Sequence, residues 1–207
     1  MKKPVKALIL AAGKSKRMKS GNSKVLHKIL GKEIINHLLD SIIGSGIHQE
    51  DIILIVGPEN QQIKKAINRN IQYTIQDKPL GTAHAVLSAR DHLTPFRGDL
   101  LVTVGDNPYI TPEEISKLLN QHQKSGCPCT LISAIFPHPP PPYGRIIRDQ
   151  NREVIGVIEE KDASPDQLKI REVNSSIYMF DNQIVFPLLS EINNDNHKNE
   201  YYLTDII

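Results

Sequence analysis

The chain has 207 residues, 39% of them hydrophobic, and its 25 basic and 23 acidic residues give a formal net charge of +2. This length suits one large α/β domain, or one domain with a subdomain, and the composition is typical of a globular protein rather than a disordered one. The small net charge argues against a dedicated nucleic-acid-binding protein, which usually has a strongly basic face. We therefore expect no nucleic-acid partner.

The longest apolar runs, 7–12 and 52–56, are too short to span a bilayer, so we expect no membrane partner. The basic N-terminus is not followed by an apolar core of signal-peptide length, which argues against secretion. Cys127 and Cys129 are too close for the usual Cys-x-x-Cys redox or zinc spacing and are interpreted as two reduced thiols. These features favour a cytoplasmic protein.

Apolar runs and helical spacings alternate through the first part of the chain. In chain order they predict a strand at 5–10, a helix at 34–43 closed by Gly44, a strand at 52–56, a helix at 61–67, a strand at 71–76, a helix at 82–93 and a strand at 100–104. The next helix begins after Thr111, since Thr is a good N-cap, Pro112 suits the first turn and Glu114 completes a capping box. Gly126 ends this helix. The order implies a parallel sheet with right-handed crossovers, whose ligands bind at the carboxyl ends of the strands.

The second part of the chain differs in character. A proline-rich stretch at 137–142 predicts a stiff, extended segment. Strand patterns follow at 143–149, 154–158 and 173–180, separated by short polar turns, as in a hairpin laid against the main sheet. We interpret this part as a subdomain or lid that supplies a second substrate site.

The loop after the first strand carries the strongest chemical signal. Small residues, Ala11, Ala12 and Gly13, precede a basic cluster, and residues 1–32 contain ten basic side chains and no acidic one. This loop predicts a polyphosphate site. A dinucleotide fingerprint is excluded because Gly13 is the loop's single glycine, and a Walker A loop is excluded because its first glycine would fall on Leu8, inside the strand.

The loop resembles the signature of the sugar-nucleotide pyrophosphorylases, and the resemblance extends over nearly the whole chain. The motifs that carry it are Gln76, 79–85, 105–108, 143–146, 159–163, 172–174 and 200–206. In this order they resemble the uridylyltransferase half of the bacterial bifunctional N-acetylglucosamine-1-phosphate uridylyltransferases. The resemblance implies a Rossmann-like nucleotide-diphospho-sugar transferase fold: a mostly parallel mixed sheet flanked by helices, with a small β-rich sugar-binding subdomain. It also implies one domain over 1–207, with a nucleotide-binding part at 1–135 and, at 136–207, a sugar-phosphate-binding part and the start of a C-terminal helix.

The implied reaction converts UTP and N-acetyl-α-D-glucosamine 1-phosphate to UDP-N-acetylglucosamine and diphosphate with Mg²⁺, as a step towards peptidoglycan. The sugar phosphate would attack the α-phosphorus in line, so the protein positions the substrates and neutralises charge. The resemblance assigns the nucleotide to Leu10, Ala11, Ala12 and Gly13, the triphosphate to Arg17 and Lys24, and the base and ribose to Gln76, Gly81 and Thr82. Arg17, Lys24 and Asp106 are its catalytic residues. His27 and His84 are interpreted as structural.

The resemblance also assigns residues to the metal ion and to the sugar. Asp106 would hold Mg²⁺, which is commonly bound by one or two carboxylates together with substrate phosphates, and Gly105 would contact substrate. Gly144 would offer a backbone contact to the sugar. Glu159 and Asn174 would bind its hydroxyls or its N-acetyl group.

Four departures from the family pattern concern the site, and the last two of them, Pro142 and Ser176, leave the sugar specificity open. Ser15-Lys16 stands where the family usually has Gly-Thr, Val104 where Tyr is frequent, and Pro142 and Ser176 where Gly is usual. The family also continues beyond the motif at 200–206, with an Asn that binds the metal, a linker helix and a β-helix acetyltransferase domain, so we expect no acetyltransferase activity from these residues. A nucleotidyltransferase for another sugar or alcohol phosphate and a catalytically weakened nucleotide-binding relative remain alternatives. The oligomeric state is left undetermined.

Overall fold

A computed structural model describes residues 3–13 and 23–207. In these residues the strands are Val5–Ala11 (β1), Lys28–Ile29 (β2), Lys32–Glu33 (β3), Ile52–Val56 (β4), Gln72–Ile75 (β5), Asp99–Val104 (β6), Cys129–Ile135 (β7), Arg145–Arg148 (β8), Val154–Ile158 (β9) and Glu172–Asp181 (β10). The helices are Ile34–Gly44 (α1), Gln61–Ala66 (α2), Thr82–Leu87 (α3), Arg90–Leu93 (α4), Pro112–Ser125 (α5) and Asn182–Leu189 (α6). Over the described ranges, none of these helices has the length and apolar character needed to cross a bilayer.

The main sheet has the strand order β5-β4-β1-β6-β10-β8-β9, and β7 also pairs with β10. Strands β5, β4, β1 and β6 are parallel, whereas β10 runs antiparallel to β6. The predicted mostly parallel mixed sheet is therefore confirmed. Because the carboxyl ends of four neighbouring strands lie at one edge, the loops that follow them converge there.

The core has two layers, one on each face of the sheet. Successive side chains of a strand point to opposite faces, so Ile9 packs with Ile35 and Leu39 of α1, while Leu8 packs with Val86 of α3 and Phe186 of α6. Every residue of β4 has 0% exposure, as expected for a central strand covered by helices on both faces. The helices thus hold the parallel strands, and the loops at their ends, in place.

Local patterns predicted most elements closely, and the strands at 52–56 and 154–158 have the predicted bounds. The capping box of α5 is confirmed, because Glu114 N donates to Thr111 Oγ1 at 3.2 Å and Thr111 N donates to Glu114 Oε2 at 2.8 Å. Gly126 ends this helix with φ 66°. The predicted helix at 82–93 is wrong as a single helix, since α3 and α4 are separated at Ser88, whose hydroxyl donates to Ala85 O at 2.6 Å.

Four elements are absent from the sequence-based prediction: the short strands β2 and β3, strand β7 and helix α6. Strand β7 is half-buried and pairs with β10, and α6 is a short helix with a proline inside it. The predicted hairpin is confirmed, with β8 and β9 antiparallel and β8 joined to β10 through the pair Val173–Arg145. The predicted C-terminal helix start corresponds to a 3₁₀ turn at Leu203–Ile206. The division into parts 1–135 and 136–207 stays a prediction.

Candidate functional site

A cleft of about 440 Å³ opens at the carboxyl ends of the parallel strands. The loops after β1, β5 and β6 and the start of α3 form its walls. Its lining residues are Leu10, Ala11, Ala12, Gly13, Ser23, Lys24, Val25, Gln76, Pro79, Gly81, Thr82, Ala85, Val104, Asp106 and Glu200. The three loops line one cleft because they share one edge of the sheet.

The first wall is the end of β1. The small residues there leave room for a ligand, and a Cβ placed on Gly13 would meet no atom within 4 Å. Gly105 N donates to Leu10 O at 2.8 Å, which ties the loop after β6 to this wall. The basic cluster that follows, with Arg17, Ser15 and Lys16, lies outside the described residues, so the role of Arg17 stays a prediction.

A cation and a carboxylate meet in the cleft. The Nζ of Lys24 forms an ion pair with Asp106 Oδ2, and their side chains are 53% and 30% exposed. Lys24 begins a 3₁₀ turn anchored by the buried Val25, and Asp106 stands two residues after β6. The pair thus joins two loops in a place that both phosphate groups and a metal ion can reach.

The cleft offers few acidic groups to a Mg²⁺ ion. Among the residues that the structure describes, no group of three His, Cys, Asp or Glu side chains could hold a metal ion by itself. Mg²⁺ usually keeps several waters and is bound by one or two carboxylates plus substrate phosphates. Asp106, one of two carboxylates that line the open cleft, therefore fits a metal that arrives with a nucleotide, rather than a metal held in a closed protein cage.

Glu200 also lines the cleft, although the sequence motifs assign it no role. The feature that could have identified it is its position at the start of the motif 200–206. It brings a second carboxylate to the cleft.

Gln76 lies at the far wall and is 4% exposed. Its backbone N–H donates to Val56 O at 2.9 Å, and its side-chain Nε2 donates to Gly81 O at 3.1 Å. The same Nε2 is 2.9 Å from His84 Nδ1. The side chain is therefore held from two directions at the edge of the cleft.

The turn at Gly81 requires glycine. Its φ is +119°, and a Cβ there would lie 2.6 Å from the backbone N of Tyr201. Ala83 N donates to Tyr201 O at 2.9 Å, and Leu203 N donates to Thr82 Oγ1 at 2.9 Å. The C-terminal motif at 200–206 thus supports the loop at 79–82, and Thr82 accepts this long-range bond instead of capping its own helix.

The predicted sugar residues form a second group beside the cleft. Asn174 N donates to Gly144 O at 2.9 Å, and a Cβ on Gly144 would lie 3.6 Å from Glu159 Oε1. This oxygen accepts a hydrogen bond from Thr204 Oγ1 at 3.2 Å, and burial raises the pKa of the Glu159 carboxyl. The structure thus brings the three predicted residues together.

The residues of the cleft and the predicted sugar residues meet around a small cavity of about 40 Å³. Leu10, Thr82 and Val104 border it from the cleft side, and Glu159 and Ser176 from the sugar side. In contrast, Gly105 is not among the lining residues of the cleft: it is buried, and its N–H is used by Leu10. A Cβ there would lie 3.2 Å from the Cβ of Ala11, so packing accounts for this glycine.

The side chain of Asn174 is used within the protein. Its amide donates to the Tyr178 hydroxyl, and its Oδ1 accepts from Ser176 N at 3.1 Å. The strand is irregular here, and Ser176 has φ 59°. This left-handed conformation explains why glycine suits the position, since a side chain is strained there.

Comparison with known proteins agrees with this geometry. Residues 6–207 match the family model described as nucleotidyl transferase. The chain is 43% identical over 201 residues to the "Bifunctional protein GlmU" of Staphylococcus haemolyticus and 45% identical over 202 residues to that of Clostridium novyi. Each match covers 97% of this chain and 44% of the relative, so the chain spans less than half the length of these curated relatives.

A solved structure shows the same fold. The structure of a UDP-glucose pyrophosphorylase complexed with UDP-glucose matches with a TM-score of 0.80 at 17% identity, covering 98% of this chain and 85% of that one. This match confirms the predicted fold class. The family model confirms the predicted nucleotidyltransferase class. The chain belongs to the nucleotidyl transferase family.

Proposed function

We propose that this chain transfers a uridylyl group from UTP to N-acetyl-α-D-glucosamine 1-phosphate with Mg²⁺, releasing diphosphate and UDP-N-acetylglucosamine. The observation that carries the proposal is the Lys24–Asp106 ion pair, which lies in a cleft whose opposite wall holds Gln76 and Gly81. The similarity to the two bifunctional relatives supports it. We further propose a cytoplasmic location, consistent with the free thiols of Cys127 and Cys129.

The chemistry follows from charge. A phosphate oxygen of the sugar phosphate forms the new bond to the α-phosphorus, and the bond to the bridging oxygen breaks with its electron pair leaving on diphosphate. Mg²⁺ bound by Asp106 and the phosphates would stabilise the charge that develops. Lys24 exchanges its carboxylate partner for phosphate oxygens, and the backbone of 10–13 holds the nucleotide against the sheet. Arg17 would add a forked contact to the triphosphate.

The nucleotide and the sugar bind to two separate groups of residues. Gln76, Gly81 and Thr82 hold the base and ribose, since a glutamine amide has both a donor and an acceptor for a base edge. Glu159 and Asn174, with the backbone of Gly144, hold the sugar. In this proposal the sugar phosphate approaches the nucleotide at the small cavity between the two groups of residues.

A second candidate, transfer to another sugar 1-phosphate, has one observation in its favour. The Asn174 amide already donates one hydrogen to Tyr178 and accepts one bond from Ser176 N, which leaves one hydrogen and one lone pair of the amide for a sugar group. A different sugar need not use this amide. The site then remains a uridylyltransferase with a changed acceptor.

The test measures diphosphate release from UTP with N-acetylglucosamine 1-phosphate, glucose 1-phosphate or no acceptor, each with and without Mg²⁺. We expect release with N-acetylglucosamine 1-phosphate and Mg²⁺ together. Release with glucose 1-phosphate but not with N-acetylglucosamine 1-phosphate contradicts the proposed acceptor. UTP binding without release for any acceptor favours a catalytically silent nucleotide-binding protein.

A further inference from the structure

We infer that His84 is a positioning residue for base selection: it orients the Gln76 amide so that Oε1, and not Nε2, faces the nucleotide base. This favours a uracil edge over a cytosine edge. The inference rests on the proposed function, since it concerns the base that Gln76 contacts.

Two neighbours decide the orientation of the amide. The carbonyl oxygen of Gly81 can only accept a hydrogen bond, so the amide atom 3.1 Å from it is the donor, Nε2. The same nitrogen lies 2.9 Å from His84 Nδ1. Each of its two hydrogens then has one acceptor, and Nδ1 must be the ring nitrogen without a hydrogen.

The arrangement is rigid. Gln76 is 4% exposed, and its backbone is bonded to Val56 at the end of β4. The Gly81 carbonyl also accepts from Ala85 N at 3.1 Å, which ties it to the first turn of α3. His84 belongs to the same turn, so both acceptors move together with the helix.

His84 does not line the cleft, whereas Gln76 does. It therefore acts on a ligand only through the amide. A flipped amide would place Oε1 against the Gly81 carbonyl and lose that hydrogen bond, and His84 would have to move its ring hydrogen from Nε2 to Nδ1 before it could bond Oε1. With Nε2 occupied on both hydrogens, Oε1 is the part of the amide left to accept a bond from a ligand.

An exposed acceptor discriminates between pyrimidines. Uracil has an N3–H that donates to Oε1, whereas N3 of cytosine is an acceptor and repels it. A flipped amide would reverse this preference. Without the His84 acceptor, the Gly81 carbonyl alone opposes the flip, so selectivity should fall but not vanish.

The test compares kcat/KM for UTP and CTP in the wild type, in His84→Phe and in His84→Asn, with thermal unfolding of each. Phe keeps a ring but has no acceptor, and the Oδ1 of Asn can take the place of Nδ1. We expect His84→Phe to lower the UTP over CTP preference by about tenfold or more, mainly through a higher KM for UTP. His84→Asn should keep the preference within about threefold of the wild type.

The outcomes separate positioning from structure. A destabilised His84→Phe with unchanged preference overturns the inference, as does an Asn variant as unselective as Phe. If His84→Phe does not fold, His84→Leu replaces it, because leucine is smaller and also has no acceptor. The same ratio of kcat/KM for UTP to kcat/KM for CTP is then measured. Failure of the proposed function shows in the wild type alone, as no turnover of UTP with any acceptor.

Discussion

The backbone N–H of Leu203 donates to Thr82 Oγ1 at 2.9 Å, joining two residues that are 121 positions apart. Tyr201 is bonded to the same loop through Leu80 O at 2.8 Å and Ala83 N at 2.9 Å. The C-terminal motif thus forms an extended support beneath the wall of the cleft that holds Gly81. The position of the loop at 79–82 therefore depends on a segment that is distant in the sequence.

Gly81→Ala should destabilise the protein by about 3 kcal/mol or more, because it combines a glycine-only backbone conformation with overlap against Tyr201. Gly46→Ala is the matched control, since Gly46 has φ +99° but a Cβ there meets nothing within 4 Å. The control should lose about 1–2 kcal/mol, from backbone strain alone. Urea unfolding measures both, and equal losses would show that the contact with Tyr201 is unimportant.

Lys24→Ala should lower turnover by about 10²–10³-fold, because it removes a cation from the place where charge develops. Lys28→Ala is the control: Lys28 pairs with Glu33 at 3.3 Å and does not line the cleft. Steady-state kinetics with saturating substrates measures kcat for each. Undiminished turnover in Lys24→Ala would remove this lysine from the mechanism.

Asp106→Asn should lower activity on the order of 10²-fold and raise the Mg²⁺ concentration needed for half-maximal rate, since an amide is a poorer ligand than a carboxylate. Asp51→Asn serves as control, because Asp51 pairs with Lys6 outside the cleft. A Mg²⁺ titration of the rate distinguishes them. An unchanged titration in Asp106→Asn contradicts the assigned metal ligand.

Glu159→Gln should stabilise the folded protein at pH 7–8 while raising KM for the sugar phosphate. Burial raises the pKa of this carboxyl in the folded state, although its bond from Thr204 acts in the opposite direction. A group with a raised folded pKa contributes stability below its unfolded pKa, and the contribution is lost as pH rises through the folded value. The stability gain of the variant should therefore disappear on going below about pH 4.5, the ordinary value. Unfolding free energies across pH 4–8 test this, and a less stable variant at pH 7.5 contradicts it.

Ser176→Gly should lower KM for the sugar phosphate. The substitution removes a side chain from the small cavity beside Glu159, and it relieves a φ of 59° while adding backbone entropy to the unfolded chain. These two effects oppose each other, so the free energy of unfolding should change by no more than about 1 kcal/mol. Arg152→Gly is the control, with φ 68° in a turn away from both cavities. A fall in KM in both variants would point to a general loosening.

Much of the fold could be predicted because its signals are local. Five consecutive apolar residues at 52–56 predict a buried strand, and Thr111 with Glu114 predicts the start of a helix. Once the parallel strands were recognised, the loops after residues 10, 76 and 104 had to share one edge of the sheet. The resemblance, rather than this topology, assigned Lys24, Gln76 and Asp106 to one nucleotide site.

Other features depended on partners far away in the chain. Strand β7 exists through its pairing with β10, and the helix predicted at 82–93 breaks at Ser88 without a Gly or Pro to announce it. Glu200 lines the cleft because the motif at 200–206 packs against the loop at 79–82.

By itself, the sequence determined the order of most elements, the run of small residues in the loop after β1 and the residue types of the site, since periodicity, capping and motif spacing act over a few neighbouring residues. The tertiary structure decided which atoms of those residues are available. It paired Lys24 with Asp106, bonded the Asn174 amide to its own strand, and turned the Gln76 amide with the help of His84. Hydrogen bonds need atoms within about 3 Å of each other, and only the folded chain brings such distant positions that close.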